Sequence, residues 1–260
     1  MSIYFTKEIV PDIVNGDVSK IIQSDKSDLP FGGQDVLFDW TEFQIPSGGA
    51  VLESVNVYVM GEDGGANQDV DMFLYFAKTV NGNAPDSLGV TNSAMTTAFN
   101  LPTALIGGIK LEGDQTTSIL KGPAFGTVLG GSPYSAHGLV HRTVFAPEDN
   151  IQTGRTGFDT YYVCAFAGGA FDFSTGVLAD GAVTDDSATS ITVKTVDPRK
   201  CFQIGDTVHL HDVNAALGTV KSMTSTNITL NAAIAGGTDI ADEDELVNAN
   251  AIRVKLGFSK

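Results

Sequence analysis

Apolar and polar positions alternate over two neighbouring stretches near the start of the chain, residues 34–45 and 50–61, with Pro46-Ser47-Gly48-Gly49 between them. A period of two, β-branched and aromatic residues, and a Pro-Gly break predict a pair of strands joined by a turn. In the first run Phe38 and Trp40 share a face, and Trp40 reads as the core anchor. In the second, Val51, Val55, Val57 and Val59 fall on one face while Leu52, Tyr58 and Met60 fall on the other.

The texture continues along the chain. Residues 70–77, Phe73 among them, are apolar at nearly every position, which predicts a strand covered on both faces or seated against a partner. Residues 103–111 predict a strand bent at Gly107-Gly108. Residues 119–129, 138–145 and 160–167 supply three more, the last carrying Tyr162. No segment longer than about ten residues holds a clean helical period, so helices are expected to be short. From Asp180 short strands and tight turns predict a small barrel of about five strands over 183–247, bounded by loops at 180–188 and 238–245. The last run alternates Ile252, Val254, Leu256 and Phe258 with Arg253, Lys255 and Gly257, and is expected to return to the first sheet.

Residues 1–33 lack a period. Pro11 and Gly16 interrupt them, yet Ile9, Val10, Ile13, Val14, Ile21 and Ile22 are aliphatic. An irregular arm with this many aliphatics is expected to pack on its own domain or on a neighbouring subunit, with a swap onto an adjacent copy preferred. The whole is read as all-β: the arm, a jelly-roll-like β-sandwich over 34–182, the small barrel over 183–247, and a closing strand over 248–260. The predicted core is Phe38, Trp40, Val55, Val57, Val59, Phe73 and Tyr162.

Composition narrows the function classes. The chain has 260 residues, 42% of them apolar, enough for a packed core. Its net charge of −16 repels phosphate backbones and anionic membranes, so neither nucleic acid nor a membrane is an expected partner. Cys164 and Cys201 lie far apart in apolar company and read as buried free thiols. The first residues lack the basic end and apolar block of a signal peptide, and no apolar run approaches the ~20 residues that cross a bilayer. Synthesis and folding in a cytoplasm are expected.

Candidate chemistry is sparse. His209 and His211 flank Leu210 on one strand, with Asp206 and Asp212 nearby. Two imidazoles on one face suit zinc or copper, but no third ligand is evident, and solvent-facing histidines are the plainer reading. His137 and His141 lack a nucleophile elbow. Asp63, Asp69 and Asp71 ring a Gly-rich turn, and acidic residues crowd 239–245, without the spacing of an EF-hand. Both read as solvated loops. No phosphate-cradling or dinucleotide-binding glycine motif occurs. Paired glycosidase carboxylates are a property of the fold and leave no mark here. The expectation is a non-enzymatic protein without cofactor or resident metal.

The order of phrases is more telling than any motif. Phe38-Asp39-Trp40-Thr41-Glu42-Phe43-Gln44-Ile45-Pro46 is followed by residues 52–63, then by Asp69-Val70-Asp71-Met72-Phe73-Leu74-Tyr75-Phe76, and late in the chain by Phe202-Gln203-Ile204-Gly205-Asp206-Thr207-Val208 and the strand at 251–258. Over most of its length this chain resembles virion structural proteins of tailed bacteriophages, of the type that decorates or cements the head. The resemblance implies a β-rich protein on the capsid surface, a homotrimer, with the major capsid protein and its own copies as partners. A competing expectation is a tail-fibre or baseplate β-module that grips host glycans, with Trp40 and exposed tyrosines as a stacking platform. A third is a β-sandwich glycan hydrolase or lyase.

Overall fold

A computed structural model describes residues 3–14, 21, 31–61, 63, 68, 70–95, 101–113, 127–131, 143–148, 157–184, 187–211, 215–235 and 238–260. The architecture is all-β, a sandwich joined to a small barrel, with helical structure confined to single turns. One sheet of the sandwich contains β1 (Tyr4–Ile9), β15 (Ile252–Ser259), β3 (Ala50–Val59) and β6 (Thr127–Gly131) in that order, with β7 (Val144–Phe145) also paired to β3. The facing sheet runs β2 (Val36–Pro46), β8 (Phe158–Ala167), β4 (Met72–Lys78) and β5 (Leu105–Leu111). Every pairing is antiparallel.

The two sheets meet on aromatic side chains. Phe145 sits between them with ring centroids 5.4 Å from Phe76, 5.2 Å from Tyr161 and 5.2 Å from Phe258. Offset and edge-on contacts of this kind add to the area they bury. Val55, Val57 and Val59 are fully buried on the inner face of β3. Leu52 joins them there, while Val51 is only half-buried. The expected grouping of Val51 with the other valines fails because the β3–β15 register shifts between Gly257 and Phe258. A bulge exchanges the faces of the residues beyond it.

A second irregularity decides the position of Trp40. The β2–β8 register shifts twice, between Val36 and Phe38 and between Phe38 and Thr41. Leu37 and Phe38 therefore both point into the main core, and Trp40 is turned to the opposite side of the sheet, half-buried. Phe73 also lies outside the main core, half-buried. Tyr162 is buried, but in a small cluster with Ala77 and Ala104 against which Trp40 packs.

The N-terminal segment is not wholly irregular. Strand β1 pairs with β15 through the register Tyr4–Ser259 to Ile9–Val254. Beyond it, the Ile13 amide donates to the Ala249 carbonyl, and Asn250 Nδ2 donates to the Pro11 carbonyl. Ile9, Ile13, Val14 and Ile21 are buried in this chain's own core, and Val10 is exposed. The edge of β15 thus recruits in cis the residues expected to reach a neighbour. Ile22 lies outside the described residues.

The barrel orders β14 (Leu246–Asn248), β11 (Thr207–Leu210), β12 (Ala215–Thr224), β13 (Asn227–Leu230), β10 (Ser190–Thr195) and β9 (Val177–Ala179). A bridge between Leu178 and Glu245 brings its two ends together. Its strands are one-sided, as in β13, where Ile228 and Leu230 are buried between half-exposed Asn227 and Thr229. The barrel spans β9 to β14, so it takes in residues from 177, and β15 leaves it to pair with β1 and β3.

Candidate functional site

Strands β8 and β4 lie at the centre of their sheet and are apolar on both faces. On the side away from the core, Phe166 stands opposite Phe73, and Cys164 stands opposite Tyr75. Across the other edge of β4, Phe73 faces Lys110 and Tyr75 faces Gly108. Tyr75 therefore lies between two small residues, Cys164 and Gly108, while the neighbouring row carries Phe166, Phe73 and Lys110. A side chain at position 108 would come within 2.7 Å of the Tyr75 ring, so the glycine is where the tyrosine lies down. The result is a hollow of about 570 Å³ walled by Trp40, Phe73, Tyr75, Phe166, Leu88 and Leu105. Tyr75 and Phe166 meet edge to face, with centroids 5.7 Å apart and planes at 81°.

The loop after β4 closes one side. Asp39 sits in the β2 irregularity and accepts hydrogen bonds from the Leu88 amide at 3.0 Å and from Ser87 Oγ at 2.5 Å. Leu88 is thereby held over Val36 and Cys164. Further on, the Asn92 amide donates to the Val36 carbonyl at 2.9 Å and the Val36 amide to the Ser93 carbonyl at 3.0 Å. The loop is pinned along β2, and Met95 and Leu105 remain exposed at the rim. The Trp40 indole nitrogen is enclosed and has no hydrogen-bond partner among the described residues. Its ring, not its N–H, is what the hollow offers.

Among the described residues, charged groups stand around the hollow and not in its lining. Burial pushes the Cys164 thiol well above its ordinary pKa, and the nearby Asp39 carboxylate adds to the rise. Lys110 stands 6.0 Å from the Phe73 ring centroid. Asp71 at 2.7 Å and Glu112 at 3.6 Å outnumber its charge. The Lys110 contact holds the Asp71 carboxyl below the usual range, helped by the Gly113 amide.

The other expected sites have structural work. Cys201 is buried, its thiol pushed up to about 12, chiefly by burial and then by Asp63 and Glu245. For both thiols burial disfavours the charged, nucleophilic form. His209 is half-buried with its Nδ1 enclosed and unpartnered among the described residues. Burial lowers its pKa, opposed by Asp12. His211 donates its backbone amide to the Glu245 carbonyl. Among the described residues no group of three or more His, Cys, Asp or Glu side chains is placed to hold a metal ion. Asp242 pairs with Lys194 at 2.7 Å. Buried Glu245 accepts the Thr175 and Gly176 amides at 2.8 and 3.1 Å. His137, His141 and Asp69 lie outside the described residues.

Sequence reasoning missed Tyr75, Phe166, Leu88 and Cys164 as a group. The sequence carried only a partial signal, the small residues Cys164 and Gly108 in strands that also hold large apolar ones. No family model matches this chain, and comparisons with curated proteins and with solved structures return no match.

Proposed function

We propose that this chain is a non-enzymatic virion structural protein of a tailed bacteriophage, sitting on the capsid exterior and bridging capsid subunits. The observation that carries the reading is the outer face of the β2–β8–β4–β5 sheet. It is apolar across its two central strands, and among the described residues the chain's own loop covers it only in part. An apolar face rimmed by exposed Met95 and Leu105 is the surface feature of a protein that works by contact. The phrase order of the sequence agrees with a passive particle component. Each copy adds buried area between neighbours, and repetition over a lattice multiplies modest contacts. A homotrimer, with the major capsid protein as partner, is part of the proposal.

Immunogold labelling of disrupted particles tests it. Label spread regularly over heads supports the reading; label confined to tails, or absent from particles, overturns it. A second reading, a tail module for host glycans, draws on the aromatic walls of the hollow. It ranks behind because sugars need several polar partners, and among the described residues the lining offers few beyond the Gln34 and Tyr75 side chains. Trp40 is the only tryptophan, so a saturable change in its fluorescence with a host polysaccharide would favour that reading.

A further inference from the structure

The geometry points to the hollow as the seat for an arginine side chain presented by an extended segment of another protein. The inference stands apart from the capsid reading, because it concerns the chemistry of the hollow itself. Three observations converge on a cation. The walls include four aromatic side chains, Trp40, Phe73, Tyr75 and Phe166, and the face of an aromatic ring attracts positive charge. No charged side chain among the described residues lines the space, and acids outnumber bases among the charged groups named beside it. Asp39 acts on Cys164 at the floor, Asp35 lies next to the lining residue Gln34, and Lys110 is outnumbered by Asp71 and Glu112. The chain also shows the interaction in cis, with Lys110 over Phe73 at the margin of the hollow.

Shape selects among cations. At about 570 Å³ the hollow lies in the size range of ligand pockets and exceeds what a bare ammonium head would fill. Guanidinium is planar and weakly hydrated and stacks on rings, so entering a nearly apolar space costs it less than it costs the compact, strongly hydrated lysine head. The exposed rim of Met95 and Leu105 suits apolar residues on either side of the arginine, which makes a protein segment a better occupant than a free small molecule.

The test uses the whole chain and its single tryptophan. Acetyl-Leu-Arg-Leu-amide is titrated while Trp40 fluorescence is recorded, at constant ionic strength, beside the same peptide carrying neutral citrulline. Citrulline matches arginine in shape and lacks its charge. A saturable change with the arginine peptide, at least about five-fold tighter than with citrulline, is expected from a desolvated cation–π contact. Phe166→Leu, checked for folding by circular dichroism, removes one ring but keeps apolar bulk. It should weaken the arginine peptide several-fold and leave the citrulline peptide unchanged. Equal binding of the two peptides would reduce the site to a plain apolar hollow and overturn the inference. So would the absence of saturable binding, or a Phe166→Leu variant that binds both as before. None of these outcomes bears on whether the protein is found on phage heads.

Discussion

The barrel and the outer face of the four-stranded sheet treat the same kinds of residue in opposite ways. In the barrel, Ile191, Val193, Val208, Leu210, Ile228 and Leu230 are all buried, with more exposed side chains between them. Its most deeply enclosed acid is matched, although the Nδ1 of half-buried His209 has no partner among the described residues. Asp206 receives the Gln203 amide and Asn248 Nδ2, each at 2.8 Å, and an Arg253 guanidinium nitrogen. On the outer face, four large rings remain half-buried around a hollow. Stability alone would put threonine or lysine there, since half-buried rings keep part of the apolar penalty of contact with water. The barrel closes on its own strands, while the outer face, under the proposed contact, is where a partner would complete the packing.

The largest test of that contrast lies where the barrel joins the sandwich. Arg253 belongs to β15 of the sandwich, and its guanidinium contacts Asp206 in the barrel and Glu8 on β1 at 3.7 Å. Asp206 is fully enclosed. Removing the cation strands a buried carboxylate, a change that costs roughly 3–5 kcal/mol in comparable pairs. Arg253→Leu should therefore lower the urea midpoint steeply, and adding Asp206→Asn should restore much of the loss, because the amide oxygen still accepts the Gln203 N–H. A variant as stable as the parent would show that the barrel does not depend on this contact for closure.

The outer face should respond weakly to the same kind of insult. Full burial of a phenylalanine side chain is worth about 1.5–3 kcal/mol. Phe166 is only half-buried, so Phe166→Ala should cost about 1 kcal/mol in urea unfolding. A loss as large as that of a fully enclosed ring, about 3–5 kcal/mol, would mean that this face is as complete as the barrel and has nothing to offer a partner.

How far the sequence alone reaches follows from the same contrast. Strict alternation announced the buried valines of β3 and the final strand, because a regular ladder preserves the period of two. Phe38 and Trp40 broke that rule through the two register shifts in β2. The cue was Asp39, a charged residue directly between two aromatics, whose carboxylate binds the Trp40 amide and the loop at Leu88. Strand β1 showed little alternation, since its pairing is supplied by β15 at the far end of the chain. The hollow was hardest to see. It depends on Cys164 and Gly108 flanking Tyr75 across two strand pairings, a relation that exists only once the sheet is assembled. Glu245 looked like one more acid in a solvated loop, although Leu246 and Val247 directly after it mark the chain turning inward.

Glu245 gives the smallest and most directional prediction. It is buried beside the bridge that brings β9 and the start of β14 together. Burial raises its pKa above the ordinary 4.5, opposed by the Thr175 and Gly176 amides. A carboxyl whose pKa is higher in the folded than in the unfolded chain binds its proton more tightly when folded. Between those two values folding takes up a proton, so this group's contribution to stability falls as pH rises through that window and is level on either side. Glu245→Gln keeps the oxygen that accepts both amides and removes the charge. The variant should be more stable than the parent at neutral pH, and its advantage should shrink as pH falls toward about 4, read as the difference between the two urea midpoints across that range. The opposite slope would mean that hydrogen bonding to the charged form outweighs its burial. The barrel would then be closed by an ionised acid, and the contrast with the uncharged lining of the outer hollow would be sharper still.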